Sequence, residues 1–121
     1  MANYVKFAVP EEVKAKQGII LEKIRKTGKI KIGSNETTKA AERGVAKLVV
    51  IAEDVNPPEI VMHLPLICKE KNIPFSFVST KKGLGQYVGI DVGTAAIAVL
   101  DEGDQKKEFA DLVKKIQELS K

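Results

Sequence analysis

Lys29-Ile30-Lys31-Ile32-Gly33-Ser34-Asn35-Glu36-Thr37-Thr38-Lys39-Ala40 changes its rhythm part-way along. Residues 29–32 alternate charged and apolar with a period of two, which predicts a strand. Beyond Gly33 the spacing is helical. Asn35 is the expected N-cap, because its side-chain oxygen can accept a free backbone N–H. Glu36 then stands in the first turn, where a carboxylate suits the positive helix end. Glu36, Lys39 and Arg43 are three and four residues apart, so they share one helix face. Gly44 is expected to end this helix. Gly33 has no Cβ, so another molecule can come close to the backbone there.

Working outward, helices and strands alternate along the whole chain. Pro10-Glu11-Glu12 opens a first helix, with proline and acids where a helix start favours them. Val13, Ile20, Leu21 and Ile24 give it one apolar face, and Gly28 is placed to stop it. Leu48-Val49-Val50-Ile51-Ala52 is a continuous apolar run, as expected of a strand covered on both faces. Residues 53–58 read as a loop. Ile60, Val61, Leu64, Ile67 and Cys68 recur at helical spacing, and Pro65 inside that segment is expected to kink it. Phe75-Ser76-Phe77-Val78 is a strand, and Thr80 caps a short helix through Val88. Ala95 to Leu100 is a last strand. Phe109, Leu112, Val113, Ile116 and Leu119 form the stripe of a final helix. The reading is α/β: a three-layer α/β/α sandwich, with a four-stranded mixed sheet flanked by five helices. Strand order is not legible.

The chain has 121 residues, 44% hydrophobic and 30% charged, which suits one globular domain over 1–121 and excludes a disordered chain. No apolar run approaches the ~20 residues of a membrane helix. Met1-Ala2-Asn3-Tyr4-Val5-Lys6 lacks the charged head and apolar centre of a signal peptide. The single cysteine, Cys68, excludes an internal disulfide. The expectation is a soluble, cytoplasmic protein with no membrane partner, monomeric when free. The net charge of +4 is uneven: residues 1–47 carry 11 Lys/Arg against 5 Asp/Glu, and residues 48–121 carry 9 against 11. A basic half suits a polyanion; the plainer alternative is a solvated surface.

The motifs narrow the chemistry. The 33–43 segment can be a capped surface helix with a Glu–Lys pair. It can also display an amide, an acceptor and a donor that read a nucleobase edge. The surrounding basic half and the shortness of the helix favour the second. Gly83-Leu84-Gly85-Gln86-Tyr87-Val88-Gly89 matches no phosphate loop, so Gly85 reads as a tolerated helix interior and Gly89 as a stop. His63 is the only histidine and lacks a metal-ligand spacing. Cys68 lies on an apolar stripe. In Ile90-Asp91-Val92-Gly93-Thr94 the apolar residues either tuck into the core or cap a partner such as an unstacked base. Glu53, Asp54 and Asp91 could in principle hold a divalent ion, which keeps a small metal-dependent hydrolase as the rival reading. Aromatics are few and tryptophan is absent. If RNA is bound, it is therefore a shaped helix or kinked loop more than a threaded single strand.

These features together resemble the archaeal large-subunit ribosomal protein family that binds kink-turn RNA. That family is shared by the ribosome and the box C/D and box H/ACA guide particles. The resemblance runs from Val5 onward. It is carried by residues 33–40, Glu42-Arg43-Gly44, Ile51-Ala52-Glu53-Asp54-Val55, His63-Leu64-Pro65-Leu66-Ile67-Cys68, Lys71-Asn72-Ile73-Pro74-Phe75 and Gly89-Ile90-Asp91-Val92. It implies an α/β/α sandwich that binds RNA, catalyses nothing and uses no cofactor or metal. The implied RNA-binding residues are Gly33, Ser34, Asn35, Glu36, Lys39, Arg43, Lys81, Ile90, Asp91 and Val92. In the family, the residues matching Asn35, Glu36 and Lys39 contact sheared G·A pairs beside the kink. Those matching Arg43 and Lys81 face phosphates, and the 90–92 loop packs on a flipped-out nucleotide. The implied partners are ribosomal RNA, guide RNAs and, as a further candidate, the RNA of RNase P, with ribosomal and guide-particle core proteins. Two positions depart from the family: Ser34 stands for alanine or threonine, and Gly93-Thr94 replaces a proline-containing pair, which implies a more mobile loop.

Overall fold

A computed structural model describes residues 3–120. Met1 and Ala2 of the leader reading, and Lys121 at the end of the expected 1–121 domain, lie outside the described residues. The chain order is α1 (Glu11–Thr27), β1 (Lys29–Ile32), α2 (Ser34–Glu42), β2 (Leu48–Ala52), a 3-10 turn (Pro58–Ile60), α3 (Leu64–Glu70), β3 (Phe75–Val78), α4 (Lys81–Tyr87), β4 (Ala96–Asp101) and α5 (Lys106–Leu119). The expected five helices and four strands are all present.

The strands form one sheet in the order β1-β4-β2-β3. Strand β4 is antiparallel to both β1 and β2, and β2 is parallel to β3. Strands β1, β2 and β3 therefore run the same way. The connections that leave them emerge at one end of the sheet, where β4 begins. Helix α1 packs on α4 and α5, and α2 packs on α3, which gives the two outer layers. All residues of β2 and β3 are buried, as expected of the continuous apolar run of β2 and of a β3 that is apolar except for Ser76. Edge strand β1 is only partly covered and carries Lys29 and Lys31, charges that discourage edge-to-edge pairing.

The predicted stripe of α1 is buried, together with Gln17 and Gly18, which the apolar pattern did not mark. Gln17 is fully buried; its Nε2 donates to the Phe77 carbonyl at 3.0 Å and its Oε1 accepts from the Ser76 hydroxyl. This polar pair ties α1 to β3. Gly28 ends α1 in an extended conformation, not by a left-handed turn, and lies against the Asp101 carbonyl.

Two expectations about helix boundaries are corrected. The Ile60–Cys68 segment is not one kinked helix. A 3-10 turn ends at Ile60, and α3 starts at Leu64 with Pro65 in its first turn. Proline is tolerated there because first-turn amides have no intrahelical acceptor. Asn35 is not the N-cap of α2. Gly33 is, with φ of 102°, and Asn35 lies inside the first turn. The cause is the sheet. The Gly33 N–H donates to the Ala96 carbonyl at 2.9 Å, extending the β1–β4 ladder by one residue. The chain must then turn at once, through a backbone conformation that glycine adopts readily.

Candidate nucleic-acid interface

The tip of α2 is built from the Gly33 turn. The Gly33 carbonyl accepts from the Thr37 N–H at 2.9 Å, which closes the first helical turn. Among the described residues nothing lies within 4 Å of where a Cβ on Gly33 would sit, so the turn is open. The N–H groups of Ser34, Asn35 and Glu36 occupy the first turn and have no intrahelical acceptor. Relieved of capping, the Asn35 amide is exposed beside them. Glu36 and Lys39 form a pair at 3.4 Å, with both side chains well exposed. Such a surface pair contributes little stability and can exchange partners. Arg43 is exposed at the C-terminal end of α2. The helix spans nine residues, about 13 Å, so Arg43 continues the Glu36–Lys39 face a helix length from the tip.

A second segment meets this tip through one carbonyl. The Ala96 oxygen that accepts from Gly33 also accepts from the buried Thr94 hydroxyl at 3.1 Å. The 90–94 loop therefore enters β4 directly beside the end of β1. Its other ties run to α4. The Ile90 N–H donates to Gly85 at 3.0 Å, and the Thr94 N–H to Lys81 at 3.1 Å. Gly85 is no merely tolerated helix interior: a Cβ there would overlap the Val92 carbonyl. The two apolar residues of the loop have split roles. Ile90 is half-buried against the core, whereas Val92 is 70% exposed, and Asp91 between them is exposed. Three hydrogen bonds thus hold the loop that Gly93-Thr94 was expected to loosen.

Lys81 begins α4 at the same end. Its N–H donates to Asp54 Oδ1 at 2.8 Å, and the Thr80 hydroxyl accepts from the Gly83 N–H at 3.0 Å, as its predicted capping role requires. The Lys81 ammonium has no ion-pair partner among the described residues. The fold brings residues 33–36, Lys81 and the 90–94 loop to one end of the sheet, and it leaves Arg43 at the far end of α2.

Two of the three acids of the rival reading have other partners, and Asp91 stands exposed on its loop. Glu53 pairs with Lys14 at 3.0 Å and Asp54 receives the Lys81 amide. Among the described residues no group of three or more His, Cys, Asp and Glu is placed to hold a metal ion. Among the described residues no helix is long and apolar enough to cross a membrane.

Several contributors went unmarked in the sequence. Asp54 was weighed only as a metal ligand, yet it caps α4. His63, noted only for lacking a metal-ligand spacing, precedes the first residue of α3 and reaches Thr38 Oγ1 at 2.8 Å. Tyr4 donates to the Ala52 carbonyl at 2.7 Å and accepts from the Val55 N–H at 3.1 Å, pinning the loop after β2. Burial raises its pKa above the usual phenol value. No local signal marks these pairs, because the partners are distant in sequence.

Residues 16–109 match the ribosomal protein L7Ae/L30e/S12e/Gadd45 family. The chain belongs to that family. Among solved structures, a Giardia lamblia protein described as a 15.5kD RNA binding protein superimposes with a TM-score of 0.90 at 30% identity. The similarity covers 98% of this chain and 99% of the Giardia protein. The family match spans β1 through β4, so it includes every element that builds this end of the L7Ae-type sheet.

Proposed function

We propose that this protein recognises kink-turn RNA with the α2 tip, Lys81 and the 90–92 loop. It stabilises the bent RNA and so nucleates ribonucleoprotein assembly. The RNAs proposed are ribosomal RNA, box C/D and box H/ACA guide RNAs and the RNA of RNase P. Ribosomal and guide-particle core proteins would dock on the complex. Family membership and the RNA-binding description of the Giardia relative support RNA as the ligand.

One observation carries the reading: an open helix start and an exposed apolar loop tip share the Ala96 carbonyl as their common anchor. A regular RNA major groove is too deep and narrow for side chains to read. A kink opens it and exposes guanine edges. Glu36 accepts from guanine N–H groups, while Asn35 and Lys39 donate to O6 or N7. Gly33 and Ser34 let the strand come close to the first-turn amides, where the helix dipole favours phosphate. Arg43 and Lys81 contribute phosphate contacts without reading sequence. Val92 offers an apolar surface to an unstacked base, with Ile90 anchoring the loop beneath it and Asp91 at its rim.

By analogy with DNA, one good base contact is worth roughly 1–3 kcal/mol. Glu36→Ala is therefore expected to weaken kink-turn binding by roughly five- to 150-fold in a gel-shift titration. A variant that binds as the wild type does would remove specific readout by this tip.

A further inference from the structure

The hydroxyl of Thr38 lies between two partners. Its oxygen is 2.7 Å from the Ser34 carbonyl oxygen and 2.8 Å from His63 Nε2. A carbonyl can only accept, so the Thr38 proton points to Ser34. The Thr38 oxygen then accepts from His63, and Nε2 is the protonated ring nitrogen. The donation runs from His63 to Thr38 to Ser34, from the start of α3 to the start of α2.

The Ser34 carbonyl shares one planar peptide unit with the Asn35 N–H. Fixing one end of that unit fixes the other, together with the point from which the Asn35 side chain departs. His63 and Thr38 are both half-buried, so the relay lies beneath the exposed tip and not on it. Breaking it leaves the Glu36–Lys39 pair and the Gly33 turn in place.

We propose that His63 is a positioning residue for the RNA-contacting tip: through Thr38 it sets the Ser34–Asn35 peptide and so the aim of the Asn35 amide. The proposal rests on the kink-turn reading above. His63 itself touches no RNA in this arrangement.

Nitrogen-15 NMR of the wild-type protein reads the ring directly. A ring protonated at Nε2 is expected, and one protonated only at Nδ1 overturns the proposal. A kink-turn RNA and a straight duplex of equal length are then titrated against wild type, His63→Gln, His63→Asn and His63→Ala, with the melting temperature of each protein recorded. Glutamine carries an amide nitrogen at the reach of Nε2, whereas asparagine stops at the reach of Nδ1. Alanine and asparagine should each lose roughly two- to tenfold in kink-turn affinity, the worth of one hydrogen bond. Glutamine should restore most of it, and duplex binding should stay equal throughout. Equal kink-turn affinity in all variants, or a loss that glutamine does not restore, overturns the proposal. Should the alanine and asparagine proteins melt too low for titration, Thr38→Val breaks the relay at its centre. It should show the same loss of kink-turn affinity with duplex binding unchanged; kink-turn affinity equal to the wild type counts against the relay. A wild type that does not prefer the kink-turn is a separate failure, which removes the RNA reading itself.

Discussion

Thr37 holds a buried hydroxyl that no described residue satisfies. The residue is fully buried in α2, and its Oγ1 has no hydrogen-bond partner among the described residues. A threonine in a helix can usually turn its hydroxyl to the carbonyl four residues back. Here that carbonyl belongs to Gly33, which accepts from the Thr37 N–H and not from its hydroxyl. Valine has nearly the same shape and replaces the hydroxyl with a methyl group. The two residues have similar helix propensities, so the backbone contributes little to the difference. Leaving a buried polar group unpaired costs about 1–3 kcal/mol. Thr37→Val is therefore expected to stabilise the protein by about 1–2 kcal/mol. With an unfolding entropy of about 2.1 cal/mol/K per residue, a chain of 121 residues gains roughly 4 °C in Tm per kcal/mol. The expected rise is about 4–8 °C by calorimetry. Thr37→Ser keeps the hydroxyl and loses a methyl group, so it should melt below the wild type. Because Thr37 faces the core, affinity for RNA should not change in either variant. A valine protein that melts at or below the wild-type temperature would refute the reasoning, and would mean that the hydroxyl is satisfied in solution, for instance by a buried water.

Gly85→Ala drives a Cβ into the Val92 carbonyl. It should lower stability by about 1–3 kcal/mol and weaken kink-turn binding together, read by urea titration and gel shift; unchanged binding would separate the loop from the RNA. Cys68 is fully buried, and burial pushes its thiol pKa up to about 12. It should resist a thiol-reactive dye at pH 8 in the folded protein and react at once in denaturant; rapid labelling without denaturant would contradict its burial. The Lys47 ammonium, 2.8 Å from Glu102, holds that carboxyl below the usual carboxylate range. A group with a depressed folded pKa stabilises above its unfolded pKa and loses that contribution as pH falls through the folded value. Glu102→Gln should thus lower Tm near neutrality, with the difference from wild type shrinking as pH falls below the ordinary carboxylate range and gone once the folded carboxyl is protonated; a gap that persists in strong acid would rule out the ion pair as its source.

The elements were legible where local pattern and tertiary demand agree. The alternation in Lys29–Ile32, the unbroken apolar run of Leu48–Ala52 and the stripe Val13, Ile20, Leu21 and Ile24 each have one burial that satisfies them. The miss at Asn35 has a different origin. Side-chain preference favours asparagine as a cap, but the cap position was decided by Gly33 pairing with Ala96, a partner far along the chain. Pro65 shows the same thing. Proline marks either a kink or a first turn, and the 3-10 turn upstream selects the second. Within the candidate site, the placing of Gly33, Glu36 and Lys39 at the start of one helix was legible because their spacing is local. The Asp54–Lys81 and Thr38–His63 bonds were not, since each joins segments more than twenty residues apart.

The site divides its polar atoms between two tasks, and burial decides which. Thr94, Tyr4 and the Gly33 amide are hidden, and each ends on a backbone partner that fixes a segment. Asn35, Lys39, Arg43 and Asp91 are exposed, and the one ion pair among them, between Lys39 and Glu36, is weak. If these exposed groups read RNA as proposed, an arrangement of this kind holds them in place before the ligand arrives, so binding loses less conformational entropy. It also makes the two tasks separable by mutation. Thr37→Val should move stability alone and Glu36→Ala affinity alone. Gly85→Ala should move both, because that glycine lies where a hidden backbone contact supports an exposed tip. If instead all three shifted stability and affinity in proportion, the tip would be reporting global unfolding, and the division of labour inferred from burial would be wrong.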